Sequence, residues 1–302
     1  MEVKYVELTR VCVPLGMACN LKCSYCYREW NKPKIPRFND LMHDFLKNLN
    51  PSKTMAVVAS GGEPFLYMDK VKELFSYSNP EIHKKIITNG MYLTQENVDY
   101  INENKIEVHL SYDGKMSKFL RGVDILEDDK LLSLLKQIEC LRVNSVITKY
   151  NTNCLSTYKH IVRKLKRDDF QFTPNVVYAI NNDHLVQGFN VEEYIRTWNE
   201  VYEIVPRYWA YNKKGGKEKV LGLDVLPNGD VVDMGFLHKY GTVLDKYEDI
   251  EKRVLAEDKH ARYCLERDCK IRNRCGRFLT LATPFNCMIL EKIYEYNQRS
   301  YS

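Results

Sequence analysis

The sequence has no long apolar run and no strong excess of charge of one sign. Its 302 residues carry a formal net charge of +5, so the composition gives no argument for binding nucleic acid or an anionic membrane surface. No stretch is apolar for long enough to span a bilayer, and residues 1–5 lack the apolar core of a secretory signal. Internal repeats and low-complexity segments are also absent. With 44% hydrophobic and 28% charged residues, the composition is that of a globular protein.

Cysteine, by contrast, is abundant. Ten cysteines without an export signal indicate a reducing, cytoplasmic compartment, in which clustered thiols favour metals over disulfides. Three of them, Cys19, Cys23 and Cys26, stand at spacings of four and three, with Tyr25 before the third. No helix or strand puts these thiols on one face, so we predict a loop that wraps a metal. Three thiolates are one short of a closed zinc shell and are usual ligands of iron–sulfur clusters. Half a zinc site, or three buried thiols, is the alternative.

Strand-like and helix-like segments alternate after this loop. Such alternation predicts an α/β fold with a parallel sheet, and six strand–helix units predict a partial (β/α)6 TIM-like barrel. We expect the barrel over residues 1–188, a linking helix and loop over 189–219, and a small C-terminal domain over 220–302. A β-hairpin turned at residues 227–230 opens that last domain.

Polar motifs follow three of the strands, at the carboxyl ends where barrel enzymes place their sites. Two glycines after the second strand allow a ligand to approach the backbone closely, and the glutamate beside them can accept hydrogen bonds from an ammonium. The hydroxyl and guanidinium near the fourth strand suit a carboxylate. Taken alone, each motif is equally compatible with an ordinary turn or a surface arginine. Together with Tyr25 of the cysteine loop, the candidate cofactor-binding residues are Gly61, Gly62, Glu63, Pro64, Thr88, Asn89, Ser111, Asp113 and Arg121.

A second group of cysteines lies near the C-terminus, at Cys264, Cys269, Cys275 and Cys287. Four thiolates can close a full metal shell, and the basic residues around them would offset the charge of thiolates and cluster. A zinc ribbon whose charges contact nucleic acid is the alternative. The spacing alone does not separate iron from zinc.

The cysteine triplet with its aromatic residue, followed in order by the strand-end motifs, resembles the signature of the radical S-adenosylmethionine (SAM) superfamily. The resemblance implies that Cys19, Cys23 and Cys26 hold a 4Fe–4S cluster whose open iron takes the amino and carboxylate groups of SAM. It gives the Gly-Gly-Glu-Pro motif to the SAM amino group. It gives Ser111 and Arg121 to the carboxylate.

The hairpin and the later cysteines resemble the auxiliary-cluster extension called SPASM, or its shortened twitch form. Counted from Gly229, one expected cysteine is Met234 here, and another, four residues after Cys275, is Leu279. Both departures remove ligands of the same cluster. The resemblance therefore implies one auxiliary 4Fe–4S cluster, bound by the four cysteines named above. A fully ligated cluster leaves electron transfer or structural bracing as its role.

The resemblance also implies an activity. One electron from the first cluster cleaves SAM to methionine and a 5′-deoxyadenosyl radical, which takes a hydrogen atom from the substrate. Relatives with this extension mostly modify ribosomally made peptides or proteins, by oxidation, cross-linking or epimerisation. We therefore expect an oxidoreductase-type peptide maturase. A radical SAM dehydrogenase of a small sugar or cyclitol, and a non-enzymatic zinc–cysteine protein that binds nucleic acid, are the alternatives.

The same resemblance suggests partners and one further residue. A reductant such as flavodoxin or ferredoxin would supply the electron. Because the cysteine loop begins almost at once, we expect any leader-peptide-binding domain to be a separate protein, or the substrate to need none. Some radical SAM epimerases return a hydrogen atom from a free cysteine, and Cys154, which follows a strand end, is the candidate for that role.

Overall fold

The computed structural model describes residues 4–29, 32–205, 223–235, 237–266, 269 and 283–299. Within them, nine strands form one sheet. The strands are β1 (Arg10–Pro14), β2 (Ala56–Ser60), β3 (His83–Thr88), β4 (Glu107–Ser111), β5 (Leu141–Ile147), β6 (Gln171–Val176), β7 (Leu223–Val225), β8 (Asp230–Asp233) and β9 (Lys239–Thr242). Their order across the sheet is β6-β5-β4-β3-β2-β1-β7-β8-β9. Strands β1 to β6 pair in parallel with one another, and β7 pairs in parallel with β1. Strand β8 is antiparallel to both β7 and β9.

Helices separate the parallel strands along the chain. They are α1 (Asp40–Lys47), α2 (Met68–Tyr77), α3 (Gln95–Glu103), α4 (Ser117–Arg121), α5 (Asp129–Lys136), α6 (Cys154–Leu165), α7 (Asp183–Val186), α8 (Val191–Ile204), α9 (Tyr247–Glu257), α10 (Lys259–Glu266) and α11 (Pro284–Arg299). Six parallel strands in sequence order, with a helix after each, confirm the predicted partial (β/α)6 barrel. No helix in the described residues combines the length and the apolar character needed to cross a membrane.

Short polar side chains start most of the barrel helices. Each accepts a hydrogen bond from a backbone amide of the first turn, which satisfies a donor that has no partner within the helix. Thr94 forms a full capping box with Asn97. The other caps of this kind are Asn39, Asp128, Asn153 and Asn190.

The two faces of the sheet differ in character. In β5, residues alternate strictly between buried and half-buried positions. The buried set packs under the helices in the main apolar core. The opposite set, which includes Arg142 and Asn144, faces the inside of the barrel, and we call that side the inner face. Packed TIM barrels fill this space with branched apolar side chains. Here much of it is polar, and side chains such as Arg142 and Glu107 keep 14% and 24% of their exposure.

The predicted hairpin continues the barrel sheet instead of standing apart from it. Gly229 takes a φ of +86° in the turn between β7 and β8, a conformation that favours glycine. Strand β7 pairs in parallel with β1 through Asp224 and Cys12. Helix α8 packs on α6, where the backbone amide of Cys154 donates to Thr197 Oγ1 at 3.0 Å. The division of the chain at 188 and 219 stays a prediction.

Candidate active site

The loop that carries the first three cysteines is fastened to the end of β2. The backbone amides of Gly62 and Glu63 donate to the carbonyls of Gly16 and Ala18 at 2.8 and 2.9 Å. A Cβ on Gly62 would stand 2.2 Å from the Ala18 carbonyl oxygen, and one on Gly61 would stand 2.4 Å from that of Gly16. Both positions therefore require glycine, because the two backbones touch. The structure gives these glycines a role in holding the cysteine loop; their contact with SAM stays a prediction.

Polar N–H groups surround the sulfurs of this loop. Asn89 Nδ2 lies 3.6 Å from Cys19 Sγ, and the backbone amide of Leu21 lies 3.5 Å from the same atom. Arg121 Nη1 lies 3.9 Å from Cys23 Sγ. Donors directed at sulfur favour the thiolate, which is the form that binds metal.

The three cysteines fit a cluster better than a single ion. Cys19, Cys23 and Cys26 form no disulfide and are partly exposed. Burial raises the pKa of Cys23 to about 11, while the Arg121 guanidinium opposes this shift. Within the described ranges, no three cysteine, histidine or acidic side chains meet as ligands of one ion. A 4Fe–4S cluster does not need that, because each cysteine binds a different iron.

A buried network lies next to Cys23. Asp113 is fully buried and accepts hydrogen bonds from Tyr25 (2.5 Å), Arg121 Nε (2.8 Å) and the amide of Val146 (2.7 Å). The guanidinium of Arg121 also lies over the Tyr25 ring, 5.4 Å from its centroid. Burial disfavours the Arg121 cation, but Asp113, together with Tyr25 and Cys23, more than offsets this and raises the pKa of Arg121. Arg121 is thus a fixed cation beside the cysteine loop, and Tyr25 and Asp113 hold it there.

Glu63 braces two strand ends. Its carboxylate, 1% exposed, accepts from Thr88 Oγ1 at 2.6 Å, from the amide of Asn89 at 2.8 Å and from that of Phe65 at 3.1 Å. Burial raises the pKa of Glu63, while these three donors oppose that shift. Asn89 in turn donates to Asn20 Oδ1 at 2.9 Å. The ends of β2 and β3 and the cysteine loop are therefore one connected unit, in which the Glu63 side chain already has three partners.

The site also contains residues that the sequence did not reveal. Tyr67 lies in the 3-10 turn that starts at Pro64. Its hydroxyl accepts from the Ala18 amide at 3.1 Å, and its ring occupies the space beside Gly16. Lys70 donates to the Leu15 carbonyl at 2.8 Å. The only sequence signal for Tyr67 is that it closely follows the Gly-Gly-Glu-Pro motif. Ser111, the predicted carboxylate ligand, ends β4 and is half-buried.

The remaining predicted residues lie apart from this network. Cys154 is fully buried between α6 and α8, with its thiol directed at the Thr152 carbonyl (3.8 Å). Burial raises the pKa of this thiol, and its role as a hydrogen donor stays a prediction. In the tail, Cys264 and Cys269 are half-buried and Cys287 is buried. Cys275 and Leu279 lie outside the described residues, so the tail ligand set also stays a prediction. Met234 is buried in the turn after β8.

Comparison with known proteins relates this site to one family. Residues 13–121 match the model of the radical SAM superfamily. Over 181 residues the chain is 28% identical to a cysteine-type anaerobic sulfatase-maturating enzyme of Clostridium perfringens, which covers 53% of this chain and 48% of that enzyme. The chain thus spans about half the length of the curated relatives that head this comparison.

Solved structures share the fold over most of the chain. Native anSMEcpe with bound AdoMet (that is, SAM) and the Cp18Cys peptide superposes with a TM-score of 0.65 at 18% identity, covering 96% of this chain and 97% of that one. Streptococcus suis SuiB bound to its precursor peptide SuiA gives a TM-score of 0.59 at 18% identity, covering 90% and 70%. At these identities the likeness establishes the fold.

Proposed function

Because residues 13–121 of this chain form a radical SAM domain, we propose that the protein cleaves SAM reductively and takes a hydrogen atom from a peptide or protein substrate. The result for the substrate would be oxidation, cross-linking or epimerisation. We further propose that the C-terminal part is a SPASM/twitch-type extension with one auxiliary cluster. A radical SAM domain uses SAM and a 4Fe–4S cluster as its cofactors.

The proposal of reductive SAM cleavage rests on the cysteine loop, whose backbone packs directly against Gly61 and Gly62. Three thiols, N–H donors near two of their sulfurs and the cation of Arg121 lie together at the carboxyl ends of β1 to β4. Bound here, the cluster and SAM would supply a carbon radical able to take hydrogen from an unactivated carbon. The cysteines would bind iron, and Arg121 would offset negative charge at the cluster. The exposed carbonyls near Gly61 and Gly62 would accept from an ammonium, and Ser111 would donate to a carboxylate.

The polar inner face supports a peptide substrate. A peptide carries many donors and acceptors along its length, and a polar, half-exposed surface can pair with them where an apolar barrel interior cannot. Side chains of β5 and β6 on this face include Arg142, Asn144 and Thr173, all half-buried. A relative is named for maturing sulfatases, and two neighbours were solved with peptides bound. We extend this substrate class to the present chain as part of the proposal.

Anaerobic reconstitution with iron and sulfide tests the first part. The wild type should form 5′-deoxyadenosine from SAM and dithionite. The triple variant Cys19→Ala, Cys23→Ala, Cys26→Ala should form none while keeping the iron of the tail site. Cys140→Ala is the matched control, because Cys140 is an exposed thiol away from the loop. Continued SAM cleavage by the triple variant would contradict the assignment.

Metal content tests the proposed auxiliary cluster, and mass spectrometry tests the proposed peptide substrate. Two clusters require about eight irons per chain. A content of about four irons and one zinc would refute the auxiliary 4Fe–4S cluster proposed at Cys264, Cys269, Cys275 and Cys287. Incubation with candidate peptides should give products whose mass shifts reveal the reaction. A reductant such as flavodoxin or ferredoxin and a separate leader-peptide-binding protein are the proposed partners, and pull-down from the source cells would test both.

A further inference from the structure

An exposed aromatic pair lies on the surface next to the cysteine loop. Phe119 of α4 and Tyr150, in the loop after β5, are 62% and 46% exposed. Their ring centroids lie 5.1 Å apart in an edge-to-face arrangement. Large apolar side chains on a protein surface are usually scattered singly, and contiguous ones mark places where partners bind. Two exposed rings in contact are therefore typical of an interaction site.

The helix that carries this pair also reaches the cysteine loop. The carbonyl of Leu120 accepts from the backbone amide of Ser24 at 2.8 Å, and Nη1 of Arg121 lies 3.9 Å from Cys23 Sγ. Phe119 directly precedes these two residues of α4, and its position is only about 3 Å from that of Arg121 along the helix axis. The aromatic pair thus marks a part of the surface that is close to the first cluster site.

Buried apolar side chains support the pair from below. Leu120, Val177 and Leu185 form a small cluster, and Tyr25 packs against it. The backbone amide of Lys149, next to the exposed tyrosine, donates to the carbonyl of Leu185 at 2.8 Å. The two rings are therefore attached to packed structure and form a defined surface.

The three segments that meet at this surface are basic. Residues 19–26, 114–121 and 148–153 contain no aspartate or glutamate. Asp113, just before the second segment, is fully buried and bonded to Arg121. The lysines of these segments form no ion pair within the part of the chain that the structure describes; they are Lys22, Lys115, Lys118 and Lys149. We call these four lysines and the two rings the α4 patch, and it presents positive charge to a partner.

We propose that the α4 patch is the docking surface for the reductant, and that this reductant is a small acidic flavoprotein of the flavodoxin kind. The inference rests on the proposed function, because it requires a first cluster that receives one electron for each SAM cleaved. That electron leaves the reduced flavin, and the first cluster gains it.

Charge and shape both favour this occupant. Acidic groups around the flavin would face the lysines, which increases the rate of encounter. The exposed aromatic pair would pack against the flat flavin ring. Electron-transfer complexes need only a small interface, below about 1,200 Å² in total, so a patch of this extent is sufficient. The peptide is proposed to bind on the inner face, so both partners could bind at once.

Charge reversal tests the docking surface. The patch variant Lys115→Glu, Lys118→Glu is compared with Lys105→Glu, Lys136→Glu, which reverses two exposed lysines near the amino ends of β4 and β5. With limiting reduced flavodoxin at low ionic strength, the patch variant should lose about tenfold or more in kcat/KM for flavodoxin. It should also lose most of the salt dependence. The control variant should match the wild type. Reduced methyl viologen, a small cation that needs no docking surface, should drive 5′-deoxyadenosine formation in all three proteins.

The aromatic part is tested by binding as well as by activity. Phe119→Ala should weaken binding of oxidised flavodoxin to the reconstituted enzyme about fivefold in biolayer interferometry. Met55→Ala, which removes a side chain that is 44% exposed before β2, should have no effect.

Equal flavodoxin binding and equal kcat/KM in the patch and control variants would overturn the docking surface. A loss with reduced ferredoxin but not with flavodoxin would overturn the assignment to a flavoprotein. If the wild type forms no 5′-deoxyadenosine even with methyl viologen, the proposed function fails, and the binding measurement still decides whether flavodoxin docks at this surface.

Discussion

Replacing Asp113 by asparagine should destabilise the protein and release Arg121 from its place beside Cys23. The carboxylate of Asp113 is fully buried and lies 2.8 Å from Arg121 Nε. At an effective dielectric constant of about 20, unit charges 2.8 Å apart attract by about 6 kcal/mol. Desolvation offsets much of that in the native state, and removing one partner of a buried pair costs about 3–5 kcal/mol. Because asparagine keeps one acceptor, we expect a loss of about 3 kcal/mol in the free energy of unfolding.

Urea denaturation of the anaerobically reconstituted protein measures this loss. Asp169→Asn breaks an exposed pair with Arg167, in which Asp169 is 69% exposed, and should cost less than about 1 kcal/mol. The double variant Asp113→Asn, Arg121→Gln should recover part of the loss, because no buried cation is left without a partner. If Asp113→Asn costs no more than Asp169→Asn, the network does not stabilise the site as argued.

Two further predictions concern Gly62, which contacts the cysteine loop, and His109 on the inner face. Gly62→Ala should displace the cysteine loop, because its Cβ would stand 2.2 Å from the Ala18 carbonyl oxygen, and the reconstituted variant should lose iron and SAM cleavage. In the control Gly188→Ala, the Cβ has nothing within 4 Å, and although the φ of +80° strains alanine there, the variant should keep both. Burial lowers the pKa of His109 from 6.5 to about 4, so below pH 6.5 the unfolded chain binds a proton that the folded protein does not. The free energy of unfolding should therefore fall from pH 6.5 towards pH 4, by up to about 1.4 kcal/mol per pH unit, and His109→Gln should flatten this part of the profile measured by urea denaturation.

The sequence was sufficient for those parts of the fold that local patterns encode. Alternating segments predicted the six strand–helix units, and turn residues predicted the hairpin at residues 227–230, because each depends on a few neighbouring residues. The sequence did not predict that β7 would pair with β1. Strand β7 has three residues, and it meets β1 through a single register pair, Cys12 and Asp224. A contact so short, between segments so far apart in the chain, leaves no periodic signal.

In the candidate site, too, the sequence did not predict contacts between distant segments, here the hydrogen-bond partners of individual side chains. Motifs identified which residues gather at the strand ends, but they did not identify which atoms would already be paired. Glu63 was predicted as an acceptor for an ammonium, yet its carboxylate accepts from Thr88, Asn89 and Phe65. Asp113 was predicted to bind the cofactor and proves to hold Arg121 and Tyr25. These pairings depend on the spacing of neighbouring strand ends, which a single sequence does not specify.

The two sides of the inner face differ in how far their polar groups are satisfied. On β3 to β5, Glu107 accepts from Lys85 at 3.2 Å and from Arg142 at 2.7 Å, and it lies 2.6 Å from His109 Nε2. Because its oxygens already contact these three groups, the Glu107 carboxylate has little remaining capacity to accept hydrogen bonds from a ligand. A peptide lying along this face would therefore gain little hydrogen-bonding free energy from Glu107. On the β1 and β7 side, beside the cysteine loop, a buried donor and a buried acceptor have no partner. Buried polar atoms that are left unpaired cost free energy, so the two sides of the inner face differ in how their polar groups contribute to stability.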